Sequence, residues 1–115
     1  MVCEKEIKEA FAALRAARQA LYDGSEKELA AKAALKKKEV IMTLSGAIAG
    51  KNAETRDAQL KEACQMEIAS LEGAEAEKRF LQCRFDLAIM AVQELQWIVR
   101  NNQTIADLEA QGFET

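Results

Sequence analysis

Proline is absent from all 115 residues, and glycine appears only five times. Proline removes a helical hydrogen bond and clashes with the preceding turn, so without it a helix has few places where it must stop. Ala, Glu, Lys and Leu dominate the remainder, the composition of long helices and coiled coils. No segment alternates apolar and polar residues with period two, which leaves strands without support. The chain is expected to be all-α.

Ile7, Ala10, Leu14, Ala17 and Leu21 recur at alternating steps of three and four, the a/d spacing of a coiled-coil seam. Asp23-Gly24-Ser25 then interrupts, and Ser25 with Glu28 has the spacing of a capping box. Leu21, Ser25 and Leu29 still share one helical face, so the reading is a single helix with Gly24 as its weak point. It continues through Leu29, Ala33, Val40 and Leu44 toward Ile48. Gly50-Lys51-Asn52 is the clearest turn, with glycine suited to a left-handed helix end and asparagine to the next N-cap. From Ala53 the pattern resumes as Leu60, Cys64, Leu71, Ala74, Leu81, Phe85, Ala88, Val92, Leu95 and Val99. Gly73 lies inside it, and Asn101-Asn102 closes it. Thr104 with Asp107 is read as capping one last short turn, and the terminal Phe113-Glu114-Thr115 as a loose end.

The organisation predicted is one helical domain over 1–115: an arm over 2–49, a turn over 50–52, an arm over 53–101 and a tail over 102–115. The arms form a long antiparallel, coiled-coil-like helical hairpin, each arm about 47 residues and roughly 70 Å long. Kinks are placed near Gly24 and Gly73; full breaks there would give a compact four-helix bundle instead. Four acid-first i,i+4 pairs support the helices: Glu4–Lys8, Glu28–Lys32, Asp57–Lys61 and Glu75–Arg79.

The residue inventory argues against most chemistry. With no histidine, the commonest general base and the commonest zinc ligand are missing. There is no phosphate-binding glycine loop, no dinucleotide fingerprint, no Ser–His–Asp set and no CxxC pair. Glu67 is the only acid on the apolar seam, and a lone glutamate there reads as solvated or lysine-paired. No catalytic, cofactor-binding or metal-binding residues are assigned, and the chain is read as a non-enzyme. Cys3, Cys64 and Cys83 have no metal or redox spacing, and three unpaired thiols point to a reducing cytoplasm. Cys83 is taken as a small core residue. The opening Met-Val-Cys-Glu-Lys-Glu is charged and lacks a signal-peptide core, and the longest uncharged run, Val40 to Gly50, is too short to span a bilayer. The expectation is a cytoplasmic protein with no membrane contact.

Charge is unevenly spread. Residues 1–50 carry nine Lys/Arg against seven Asp/Glu, a net +2, and residues 51–115 carry seven against twelve, a net −5. The halves are complementary, and the acidic total makes nucleic acid a poor general partner. The one basic cluster, Lys32 with Lys36, Lys37 and Lys38, fans across about 200° of helix and reads as a solvated face; its alternative reading is a nucleic-acid contact.

Residues 77–100 carry more apolar surface than one seam can use. Leu81, Phe85, Ala88, Val92, Leu95 and Val99 make a stripe that the first arm can cover, while Phe80, Leu87, Met90, Trp97 and Ile98 fall outside it. Large side chains left wet cost roughly 1.5–3 kcal/mol each. Either the chain folds back into a bundle that covers them or a second copy does, and a two-fold dimer is the more economical of the two. Val40, Ile41, Met42, Leu44 and Ile48 raise the same issue at the hairpin tip: they are either buried in the assembly or dock into an unknown protein partner.

Gly50-Lys51-Asn52-Ala53-Glu54-Thr55-Arg56, followed by an Ala/Glu-rich helix closing with Leu95-Gln96-Trp97-Ile98-Val99-Arg100, resembles small all-helical proteins of phages and prophages. The resemblance covers residues 50–100. It implies a mobile-element origin and brings no assigned activity or site. The resulting expectation is a helical interaction protein that self-associates through residues 80–98.

Overall fold

The computed structural model describes residues 2–112. Helix α1 spans Glu4–Leu44, α2 spans Ala53–Ala63 and α3 spans Gln65–Ala110. Among the described residues there is no strand, and the chain is an all-α helical hairpin. Two compact units are formed, each from both arms: Met1–Leu21 with Leu81–Thr115, and Tyr22–Phe80.

In the unit made from the chain ends, Ile7 and Phe11 share a groove with Val92, Leu95 and Val99, while Ala13 and Ala17 lie with Leu81 and Arg84. Residue numbers rise on α1 as they fall on α3, so the helices run antiparallel. Ile7, Ala10, Leu14 and Ala17 face inward as the 3–4 spacing predicts, and among the described residues Val92 is the buried apolar side chain of this unit.

In the Tyr22–Phe80 unit the inward positions of α1 are Gly24, Glu28, Ala31, Leu35, Lys38 and Met42. This corrects the expected course through Leu29, Ala33, Val40 and Leu44, all of which are exposed. After Leu21 the strict 3–4 alternation leads to Gly24 and then Glu28. Successive steps of four, as in Leu21–Ser25–Leu29, each advance about 40° and rotate off the seam. A heptad seam thus accepts a charged residue rather than lose register.

Several boundaries also move. Helix α1 passes through Gly24 and α3 through Gly73 without a break. The interruption of the second arm falls at Cys64, whose φ of −103° and ψ of 17° leave the helical region. The hydrogen bonds from Cys64 N to Leu60 O and from Ile68 N to Cys64 O, both 2.9 Å, span that single misfit residue. Helix α3 does not end at Asn101-Asn102. Asparagine disfavours a helix only mildly, no glycine or proline follows at once, and Asn102 occupies a half-buried seam position. Thr104 caps nothing; its hydroxyl donates back to Arg100 O at 3.1 Å. Phe113–Thr115, expected to be loose, lie outside the described residues.

The turn is longer than the three residues expected. Helix α1 stops at Leu44, where Ser45 Oγ bonds back to Met42 O at 3.0 Å and Gly46 takes φ +79°. The left-handed glycine is therefore Gly46, not Gly50. Asn52 is the N-cap of α2 as predicted, its Oδ1 accepting from Thr55 N at 2.8 Å. Gln59 Oε1 accepts from the backbone of both Ala49 (3.1 Å) and Gly50 (2.9 Å), and Arg56 donates to Gly50 O at 3.3 Å. These bonds fold the connection back onto α2.

Candidate interaction site

On α3, Leu87, Met90 and Trp97 are 58%, 61% and 64% exposed. With the exposed Cys83 and Glu94 they follow steps of four, three, four and three. That is a second heptad stripe on the helix, roughly 150° around from the Leu81–Phe85–Ala88–Val92–Leu95 face that meets α1. Each member lies two residues beyond one of the inner face, so the stripe runs alongside the α1-facing seam down α3.

Two expectations for this surface are corrected. Ile98 is half-buried, being one residue beyond Trp97 and so turned toward the α1 side. Cys83 is exposed, not a core thiol; the buried cysteine is Cys64, 1% exposed. Phe80, the last residue of the Tyr22–Phe80 unit, is exposed as expected. Between α1 and α3 in the chain-ends unit, a groove of about 600 Å³ is left over Ile7, Phe11, Val92, Leu95 and Val99. Sequence spacing alone missed this groove, because Ala10 on the seam is small and the gap it leaves is visible only once the helices are packed.

The tip residues divide. Val40, Ile41 and Leu44 are exposed, while Met42 continues the inner seam and Ile48, in the connection, is half-buried. The basic cluster also divides. Lys32 Nζ lies 2.9 Å from Glu28 Oε1, Lys38 occupies a half-buried seam position, and Lys36 and Lys37 are exposed. The four ammonium groups do not form one stripe.

Glu28 is the acid among the inward α1 positions named above, its side chain 12% exposed. Lys32 from its own helix and Lys78 from α3, at 3.5 Å, both reach it. The hydrogen bond from Lys32 is the main reason its carboxyl stays below the usual range, and burial opposes it. The same bond raises the Lys32 ammonium. Lys27 and Glu77 add a second bridge between the arms at 3.7 Å. Of the expected i,i+4 pairs, Glu4–Lys8 (3.0 Å) and Glu28–Lys32 close, whereas Asp57–Lys61 and Glu75–Arg79 are not among the bridges of the described residues.

No known family, curated protein or solved structure matches this chain.

Burial pushes the Cys64 thiol up, helped by the charges of Glu67 and Glu39, which makes it a poor nucleophile. Among the described residues no three acidic or cysteine side chains gather where they could hold a metal ion, and no helix is long and apolar enough to cross a membrane. What the arrangement offers is apolar helix surface.

Proposed function

We propose that this chain is a non-enzymatic helical interaction protein that self-associates, as a coiled-coil-like homodimer, through the outer stripe of α3. The observation that carries the reading is the pairing of two facts in the chain-ends unit. Its buried apolar side chain among the described residues is Val92, while Leu87, Met90 and Trp97 stand in register on the outside. A small helical unit with so little internal core gains most by lending its surplus apolar surface to a second copy. C₂ dimers are the commonest way to do so. The free thiols Cys3, Cys64 and Cys83 support a reducing, cytoplasmic setting. The resemblance of residues 50–100 to phage and prophage proteins supports a mobile-element origin. A nucleic-acid role for Lys32 and Lys36–Lys38 has no observation in its favour.

Sedimentation equilibrium tests the proposal. The protein should sediment as a dimer at tens of micromolar, and Leu87→Ala with Trp97→Ala should weaken association at least tenfold while helicity persists. A well-folded monomer at that concentration overturns it.

A further inference from the structure

Resting on that reading, we infer that the occupant of the α3 stripe is the same stripe of a second copy, running antiparallel, with Leu87 level with the partner's Met90. The stripe reads Cys83, Leu87, Met90, Glu94, Trp97 at steps of four, three, four and three. Turned end for end about a point midway between Leu87 and Met90, its Cys83-to-Glu94 part maps onto itself: Leu87 falls opposite Met90 and Cys83 opposite Glu94, while Trp97 falls opposite the exposed Phe80, one step before Cys83. An isologous two-fold contact demands this property of a surface, since each half must complement the other.

Direction is decided by Glu94. It is the one charged residue of this heptad stripe between positions 83 and 97. In a parallel pair it would face the partner's Glu94 at a core position, and like charges brought together in a desolvated layer repel strongly. In the antiparallel pair it faces a cysteine, a small side chain with a weak S–H donor, and no like charges meet along the stripe. Antiparallel helices also set their dipoles in the favourable sense.

The surface is of the size required. Leu87, Met90 and Trp97, each more than half exposed, offer together roughly 400 Å², about half of the ~800 Å² per partner of a standard interface. The remainder is available from the exposed Cys83, Ala91, Gln93 and Glu94 beside them.

The native thiol provides the test. In a Cys3→Ser background, Cys83 is left as the exposed cysteine, because Cys64 is buried. In the antiparallel register the two Cys83 residues of a dimer lie about 16 Å apart along the helix axis, beyond disulfide reach. Mild oxidation of this variant should leave monomeric chains on a non-reducing gel. Adding Glu94→Cys should turn most of the protein into a covalent dimer, and adding Cys83→Ser to that variant should abolish the cross-link. A covalent dimer through Cys83 alone, or through Glu94→Cys alone, overturns the antiparallel register. So does the absence of any cross-link in the Cys83 plus Glu94→Cys protein while sedimentation shows a dimer. Sedimentation as a folded monomer overturns self-association itself, so the two failures are told apart.

Discussion

Lys78 on α3 reaches Glu28 on α1 at 3.5 Å, and the carboxylate's other oxygen holds Lys32 at 2.9 Å. One acid at an inward heptad position thus binds one cation from each arm of the Tyr22–Phe80 unit. A charged residue within an apolar seam resists sliding by one heptad, because a slip would take Glu28 away from Lys78, its cation on the other arm, and leave it only Lys32.

The pH dependence follows from the Glu28 pairing. Its carboxyl is held low in the folded chain, so its stabilising contribution is present above its unfolded pKa, near about pH 4, and is lost as pH falls through the folded value. Glu28→Gln should be less stable than the parent at neutral pH, with the gap closing on acidification below about pH 4. Thermal melts from neutral to acidic pH check this. A gap that stays constant would mean that the charge of Glu28 contributes nothing. At the other end, the raised Lys32 ammonium contributes below its unfolded pKa, near about 10.4, and loses that contribution as pH rises through its folded value.

Gln59 holds the connection by accepting two backbone N–H bonds at once. Gln59→Ala should speed amide exchange at Ala49 and Gly50 while leaving α3 amides protected, and should cost about 1 kcal/mol in denaturant unfolding. Unchanged exchange at both amides would show that water replaces the side chain without loss.

Gly50 has no room for a side chain. A Cβ there would meet Thr55 Cγ2 at 2.7 Å and the Arg56 backbone nitrogen at 2.9 Å. Gly50→Ala should destabilise by about 1–3 kcal/mol, whereas Gly73→Ala, with nothing within 4 Å and a helical backbone, should stabilise by about 1 kcal/mol. Urea midpoints of the two variants, moving in opposite directions, check the pair.

Thiol chemistry should separate the cysteines. Cys3 and Cys83 are exposed and Cys64 is buried with its thiol pushed up by that burial. An aromatic disulfide reagent at neutral pH should titrate two thiols quickly and the third only at the rate of local opening. Reductant should leave the thermal midpoint unchanged, since no disulfide joins these residues.

Local chemistry in the chain carried much of the architecture. The absence of proline and the 3–4 spacing from Ile7 to Ala17 and from Leu60 to Leu95 specify two helical arms and their inner faces, because helical periodicity is written in the side chains themselves. Asn52 announced the start of α2 for the same reason: a cap bonds only to its own next residues.

What the sequence could not show depends on a second helix. Leu29, Val40 and Leu44 look more like a seam than Glu28 and Lys38 do, yet they lie outside. Hydrophobicity would favour the first set, but register with α3 selects the second, with Lys78 compensating the charge of Glu28. The same holds for the return segment, where Gln59 closes a loop on residues nine and ten positions earlier. The excess of apolar side chains over residues 80–98 was plain from spacing. Which of them face α1 and which stay outside, with Ile98 on one side and Trp97 on the other, was decided only by the packed helix. A helix has a seam by sequence but acquires an inside and an outside only from its neighbour.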